Sequence, residues 1–261
     1  MPDWLSTDPE DRRLRRPPLA LVVCQVRHES IFAASDAARV LRVKDDLPWA
    51  SDLEETMRQA VNFSISQEKG ISAAHSPGAV GWQLRSPDGQ WTASIQPDHF
   101  SLETSQYGGW KDFRGKIQAL TDSIIKNISP ALEHRIGLRF VNQITHPEVS
   151  SLAEWRQFIS PDIFQGDFYE TSGSRMRAAM QVFEIAPSTG RSLVIRHGWQ
   201  GPPTQGGGSY LLDNDCSRQG SRAMVSEQLM EEADHLHKLA LQAFEMETSE
   251  TLRDYLGREE K

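Results

Sequence analysis

The alternation of apolar and polar residues sets the first element. Leu19 to Glu29 (LALVVCQVRHE) is β-branched and turns polar at alternate positions in its second half, which predicts a strand. Pro48 breaks a mixed stretch, and S-D-L-E at 51–54 fits a capping box. A helix is therefore expected from Ser51, with Leu53, Met57 and Ala60 or Val61 as its apolar stripe, before a short strand at Asn62 to Ser66. Ser76-Pro77-Gly78 reads as a turn. Val80 to Arg85 and Gln90 to Ile95 flank Ser86-Pro87-Asp88-Gly89, a hairpin signal, and Phe100 to Thr104 is a further strand. After Gly108-Gly109, the apolar residues Trp110, Phe113, Ile117, Leu120, Ile124 and Ile128 recur at steps of three and four, which predicts an amphipathic helix ending at Pro130.

The same kinds of element then recur. Arg135 to Ile144 reads as a strand, Ser151 to Phe158 as a short helix capped by Ser151 and Glu154, and Met176 to Ile185 and Ser192 to Trp199 as strands around Pro187-Ser188-Thr189-Gly190. Gly201 to Gly208 is a breaker-rich loop, Ser209 to Cys216 a strand, and Arg222 to Met246 a long helix, followed by a short one after Thr248. The expectation is an α+β fold built by duplication of a β-α-β-β-β-α unit, with mainly antiparallel sheet backed by long helices. Residues 1–18 read as a flexible arm, 19–130 as the first repeat and 131–261 as the second, packed as one body.

Charge and composition narrow the function classes. The 261 residues carry 28 Lys and Arg against 36 Asp and Glu, a net charge of −8, which argues against bulk phosphate binding; a nucleic-acid partner is not indicated by this charge, though a local basic groove leaves room for one. Two cysteines exclude a disulfide scaffold and a multi-cysteine zinc site. The longest fully apolar run is Leu19 to Cys24, far short of the ~20 residues that cross a membrane. The expectation is a cytoplasmic protein without membrane contact. Cys24 and Cys216 would be buried thiols, or else paired with each other.

Candidate chemistry is sparse. Arg27 and Arg139 fall near the ends of equivalent strands, and Arg177 and Arg196 on others, so they could line an anion-binding face or simply pair with acidic neighbours. Asp213 and Asp215 alternate on one strand and share a face, where they could hold a divalent ion, with Glu184 as a third carboxylate, or end the strand in an ordinary turn. His235 and His237 point apart on a helix and cannot share a metal; His237 lies beside the apolar stripe. The GPPTQGGGSY loop lacks the G-x-x-x-x-G-K-[ST] pattern and precedes a strand. No cofactor and no bound metal are expected.

PPLALVVCQVRHE at 17–29, RIGLRFVNQI at 135–144, YLLDND at 210–215 and LHKLALQAFEMETSETLRDYL at 236–256 resemble the signatures of a sporadically distributed bacterial family of conserved hypothetical proteins about 260 residues long. The resemblance spans most of the chain and departs from the family pattern at His28, where an aromatic residue is expected. It singles out Arg27, Arg139, Asn142, Asp213, Asp215, His237 and Phe244. It implies no particular activity, and a patchy distribution like that of defence or toxin–antitoxin genes. Two readings follow. The first is a non-catalytic binding or accessory subunit whose sheet face, with Arg27, Arg139, Asn142 and Asp213, takes a protein partner or a small anionic ligand. The second is a metal-dependent phosphoester hydrolase or nuclease, with Asp213 and Asp215 on the ion and His237 as general base.

Overall fold

The computed structural model describes residues 3–9, 11, 14–66, 70–149, 151–164, 178–201 and 208–257, with the backbone alone over 57–80. Among these residues nine strands form one sheet: β1 Leu19–His28, β2 Asp52–Ser66, β3 Gly70–Arg85, β4 Trp91–Gln96, β5 His99–Thr104, β6 Leu132–Ile144, β7 Ala178–Ser188, β8 Arg191–Gln200 and β9 Ser209–Ala223. Every pairing is antiparallel, in the order β2-β3-β4-β5-β1-β6-β9-β8-β7. The described α-helices are α1 Ala37–Asp45, α2 Trp110–Asn127, α3 Ser226–Glu247 and α4 Glu250–Leu256. None of the described helices is long and apolar enough to cross a membrane.

The expected duplication of a β-α-β-β-β-α unit is overturned. The chain builds one continuous sheet, with five strands from its first part and four from its second, and only a few helices pack on it. Among the described residues the first part supplies one strand more than the second, and it forms α1 between β1 and β2 where the described residues between β6 and β7 hold a 3-10 helix, Leu152–Gln157. The segment expected to be a helix from Ser51 is strand β2, paired with β3 along its length. Ser51 starts this ladder by donating its N–H to the Arg85 carbonyl (2.9 Å), and Glu54 pairs with Arg85 (3.1 Å) rather than closing a cap. Glu54, Glu55, Met57, Arg58 and Gln59 are good helix formers, but intrinsic propensity is a small term and a continuous hydrogen-bonded partner strand outweighs it. Pro77, expected in a turn, lies within β3 opposite Gln59, beside a register shift that accommodates its missing N–H. Arg177, the loop at 202–207 and the side chains of Met57, Ala60 and Val61 lie outside the described residues.

The core lies between one face of the sheet and the helices. Val22, Cys24 and Val26 on β1, Ile136 and Leu138 on β6, and Leu193 and Ile195 on β8 project to this side, where Phe113, Ile117, Leu120 and Ile124 of α2 and Leu229, Ala233 and Leu236 of α3 meet them. The α2 positions are those that the three-and-four periodicity marked. A second cluster joins Trp155, Phe158, Tyr210, Leu212, Leu252 and Leu256. Cys24 and Cys216 are free thiols in the core, both opposite Leu138, with β6 between them. Two inter-strand spacings, ~9.6 Å, exceed the reach of a disulfide.

Part of the segment expected as an arm lies on this body. Trp4 and Leu5 pack on the core, and Gln242 of α3 donates to the Leu5 and Thr7 carbonyls (2.9 and 2.7 Å). Arg15 and Arg16 donate their N–H groups to Gly257 and Leu256 (3.1 and 3.0 Å).

Candidate functional site

Strand parity sorts the sequence-derived site residues onto two opposed faces. Between the register shifts of the ladders, odd-numbered residues of β1, β6 and β9 share the face away from the helices: Gln25 and Arg27, Arg135, Gly137 and Arg139, and Asp213, Asp215 and Gln219. Even-numbered residues, including Asn142 and Asn214, share the helix side with the core. The open face therefore gathers Arg27, Arg139, Asp213 and Asp215, and it does not include Asn142. His237, on α3, also belongs to the helix side.

Two charged rows cross the open face. In the first, Arg139 grips Asp213 with two prongs, Nε to Oδ1 and Nη2 to Oδ2, both 2.7 Å, and Arg196 of β8 approaches the same carboxylate at 3.6 Å. The Asp213 side chain is 3% exposed, so it rests under the two guanidiniums. Its hydrogen bonds raise the pKa of Arg139 above the ordinary value.

In the second row, Arg27 stands directly opposite Arg135 across β1 and β6, with His99 on the far side of Arg27 and Gln219 on the far side of Arg135. Arg135 reaches back over Gly137 to Asp215 (3.2 Å); a side chain at Gly137 would collide with its guanidinium. Among the described residues Arg27 donates only to Gln25 Oε1 (3.4 Å) and has no ion-pair partner. Gln25, Arg27, His134, Arg135, Asp215 and Gln219 line a recess of about 530 Å³.

The metal constellation is not assembled. Asp213 and Asp215 share a face as expected, but each is engaged by arginine, and His237 lies on the other side of the sheet. Glu184 accepts a hydrogen bond from Ser192 (3.1 Å). Among the described residues no three His, Cys, Asp or Glu side chains are grouped to hold an ion.

On the helix side, a cavity of about 250 Å³ lies between the central strands and α3. Its walls include Tyr107, Phe140 and Phe244, with Asn142, Asn214 and His237 among its polar groups. The His237 ring stacks on Trp110 with centroids 4.3 Å apart and planes 3° from parallel. Burial lowers its pKa, outweighing the attraction of Asp11 and Asp234. Behind the cavity the fully buried Glu247 accepts from Asn214 Nδ2 (2.9 Å). Burial and the neighbouring Asp213 charge push this carboxyl up to about 8 against the opposing hydrogen bond, so it is protonated at neutral pH.

Residue-type reasoning passed over Arg135, Asn214, Tyr107 and Glu247. Alternation alone places Arg135 with Arg139, and separates Asn214 from Asp213 and Asp215. Nothing local in the sequence marks Tyr107 or Glu247, whose roles come from tertiary packing. Scanned against protein-family models and against curated proteins, the chain matches none.

Proposed function

We propose that this protein is a binding protein whose open sheet face recognises an anionic group, phosphate or carboxylate, through Arg27 and Arg135. The observation that carries the reading is the direct cross-strand placement of these two guanidiniums with a single carboxylate, Asp215, paired to one of them. Like charges directly opposite on a sheet destabilise it, and an anion between them relieves the repulsion while using the planar fork of each guanidinium. Gln25, His134 and Gln219 supply further hydrogen-bonding groups around the recess. The net charge of −8 favours a ligand or protein partner with a localised anionic group over a nucleic-acid backbone. The patchy distribution implied by the family resemblance suits an accessory subunit, including one in defence.

Isothermal titration with inorganic phosphate and with citrate tests the reading. Binding that weakens about tenfold in Arg27→Gln, with thermal unfolding of the free protein no lower than in wild type because the opposed charge is removed, is the expected result. No heat with either anion, or equal affinity in the variant, would overturn it.

A further inference from the structure

We propose that the helix-side cavity is a second, separate binding site, for an uncharged heteroaromatic molecule about the size of a nucleobase. The cavity is a built site. Its floor is the pair of central strands, with Phe140 directly opposite Asn214 and Asn142 one step along on the same face. Its roof is α3, with Ala240 leaving the space that a larger residue would fill.

Two polar groups there have unused capacity. Asn214 is 1% exposed, and with Nδ2 committed to Glu247 its Oδ1 has no partner among the described residues. The Tyr107 hydroxyl is likewise buried without a partner among the described residues. Buried polar groups are nearly always hydrogen-bonded, so unpaired ones lining one cavity point to a ligand that completes them. Asn142 adds a second carboxamide, whose Nδ2 makes only a long bond to the Leu212 carbonyl (3.5 Å). Carboxamides donate and accept side by side, which matches a ring edge carrying both kinds of group.

Charge and shape restrict the class further. No Arg or Lys is among the described lining residues, and Asp11 is their single carboxylate. Among the described lining residues an anion would find no Arg or Lys counter-charge, which separates this site from the arginine recess on the other face. Tyr107, Phe140 and Phe244, with Pro17 and Pro18, give flat apolar walls suited to a planar ring. Glu247 is a positioning residue that fixes the orientation of the Asn214 amide.

The test titrates the full chain with adenine, nicotinamide and benzoate at up to millimolar concentration. Binding is read from the indole N–H resonance of Trp110, which stacks on His237 at the cavity. We expect adenine or nicotinamide to bind, benzoate to bind at least about tenfold more weakly, and Ala240→Phe and Asn214→Leu each to weaken the neutral ligand about tenfold. Silence with both neutral probes, benzoate as tight as they are, or affinity unchanged in a folded variant would overturn the proposal. If Ala240→Phe does not fold, Asn214→Leu and the wild-type contrast between neutral and anionic probes decide it. The Arg27→Gln variant should bind the neutral probe as wild type does, so this site and the anion recess fail or stand separately.

Discussion

Arg139 and Asp213 form a two-pronged ion pair in which one partner is dry and the other is wet: the aspartate is 3% exposed and the guanidinium 44%. Removing a partner from a fully buried pair costs roughly 3–5 kcal/mol, but solvent screens this arginine and Arg196 stays near the carboxylate at 3.6 Å. Arg139→Ala should therefore lower stability by only about 1–2 kcal/mol and leave the fold intact. Urea unfolding followed by circular dichroism measures it. Collapse of the fold would make Arg139 indispensable to the sheet.

Glu133 and Arg218 behave differently. They form an ion pair on β6 and β9 with both side chains 3% exposed, and Glu133 Oε2 and Arg218 Nε have no hydrogen-bond partner. Arg218→Ala should cost about 3–5 kcal/mol, because it strands a buried carboxylate. Replacing both with Met and Leu should recover most of that loss, and a double-mutant cycle reads the difference.

Stability should fall as pH rises from about 6.5 to about 8. Glu247 has its pKa raised by burial from 4.5 to about 8, so the folded chain holds a proton that the unfolded chain has released, and folding weakens across that interval. His197 acts in the opposite sense: burial lowers it from 6.5 to about 4, so it adds stability as pH rises toward 6.5 and nothing above. The window above 6.5 thus isolates Glu247. Glu247→Gln should flatten the dependence of melting temperature on pH between 6.5 and 8, and an unchanged slope would reassign it.

Two glycines predict opposite outcomes. A Cβ at Gly198 would strike the Ala179 carbonyl oxygen and the Met180 backbone of the paired strand, where neither can swing aside. Gly198→Ala should destabilise the β7–β8 edge by about 1–3 kcal/mol, visible as faster amide exchange on β7. A Cβ at Gly137 meets only the mobile end of Arg135. Gly137→Val should keep the fold but dislodge Arg135 from Asp215, weakening phosphate binding in the titration used for Arg27.

Much of the architecture was legible in periodicity. Phe113, Ile117, Leu120 and Ile124 marked the inward face of α2, and Ser151 with Glu154 marked a helix start where Glu154 accepts from the Ser151 N–H (3.1 Å). The segment 52–61 was misread because its residues suit a helix locally and become a strand only through β3, whereas the strand expected at Asn62 to Ser66 is the end of β2. The candidate site was half legible. Arg139 and Asn142 are three apart on a strand, so alternation already sends them to opposite faces, and grouping them on one face ignored it. Asn214 and Glu247 meet only once α3 lies across β9, which no local signal announces.

The central position of β1 has a consequence for biogenesis. This strand emerges from the ribosome before either of its neighbours, yet it pairs with residues as distant as Thr104 on one side and Asn142 on the other. Until β5 and then β6 arrive, its apolar face and both hydrogen-bonding edges lack their native partners, and pairing across such separations is slow. A nascent chain stalled before β6 would carry an incomplete central seam, the species on which a holding chaperone would act.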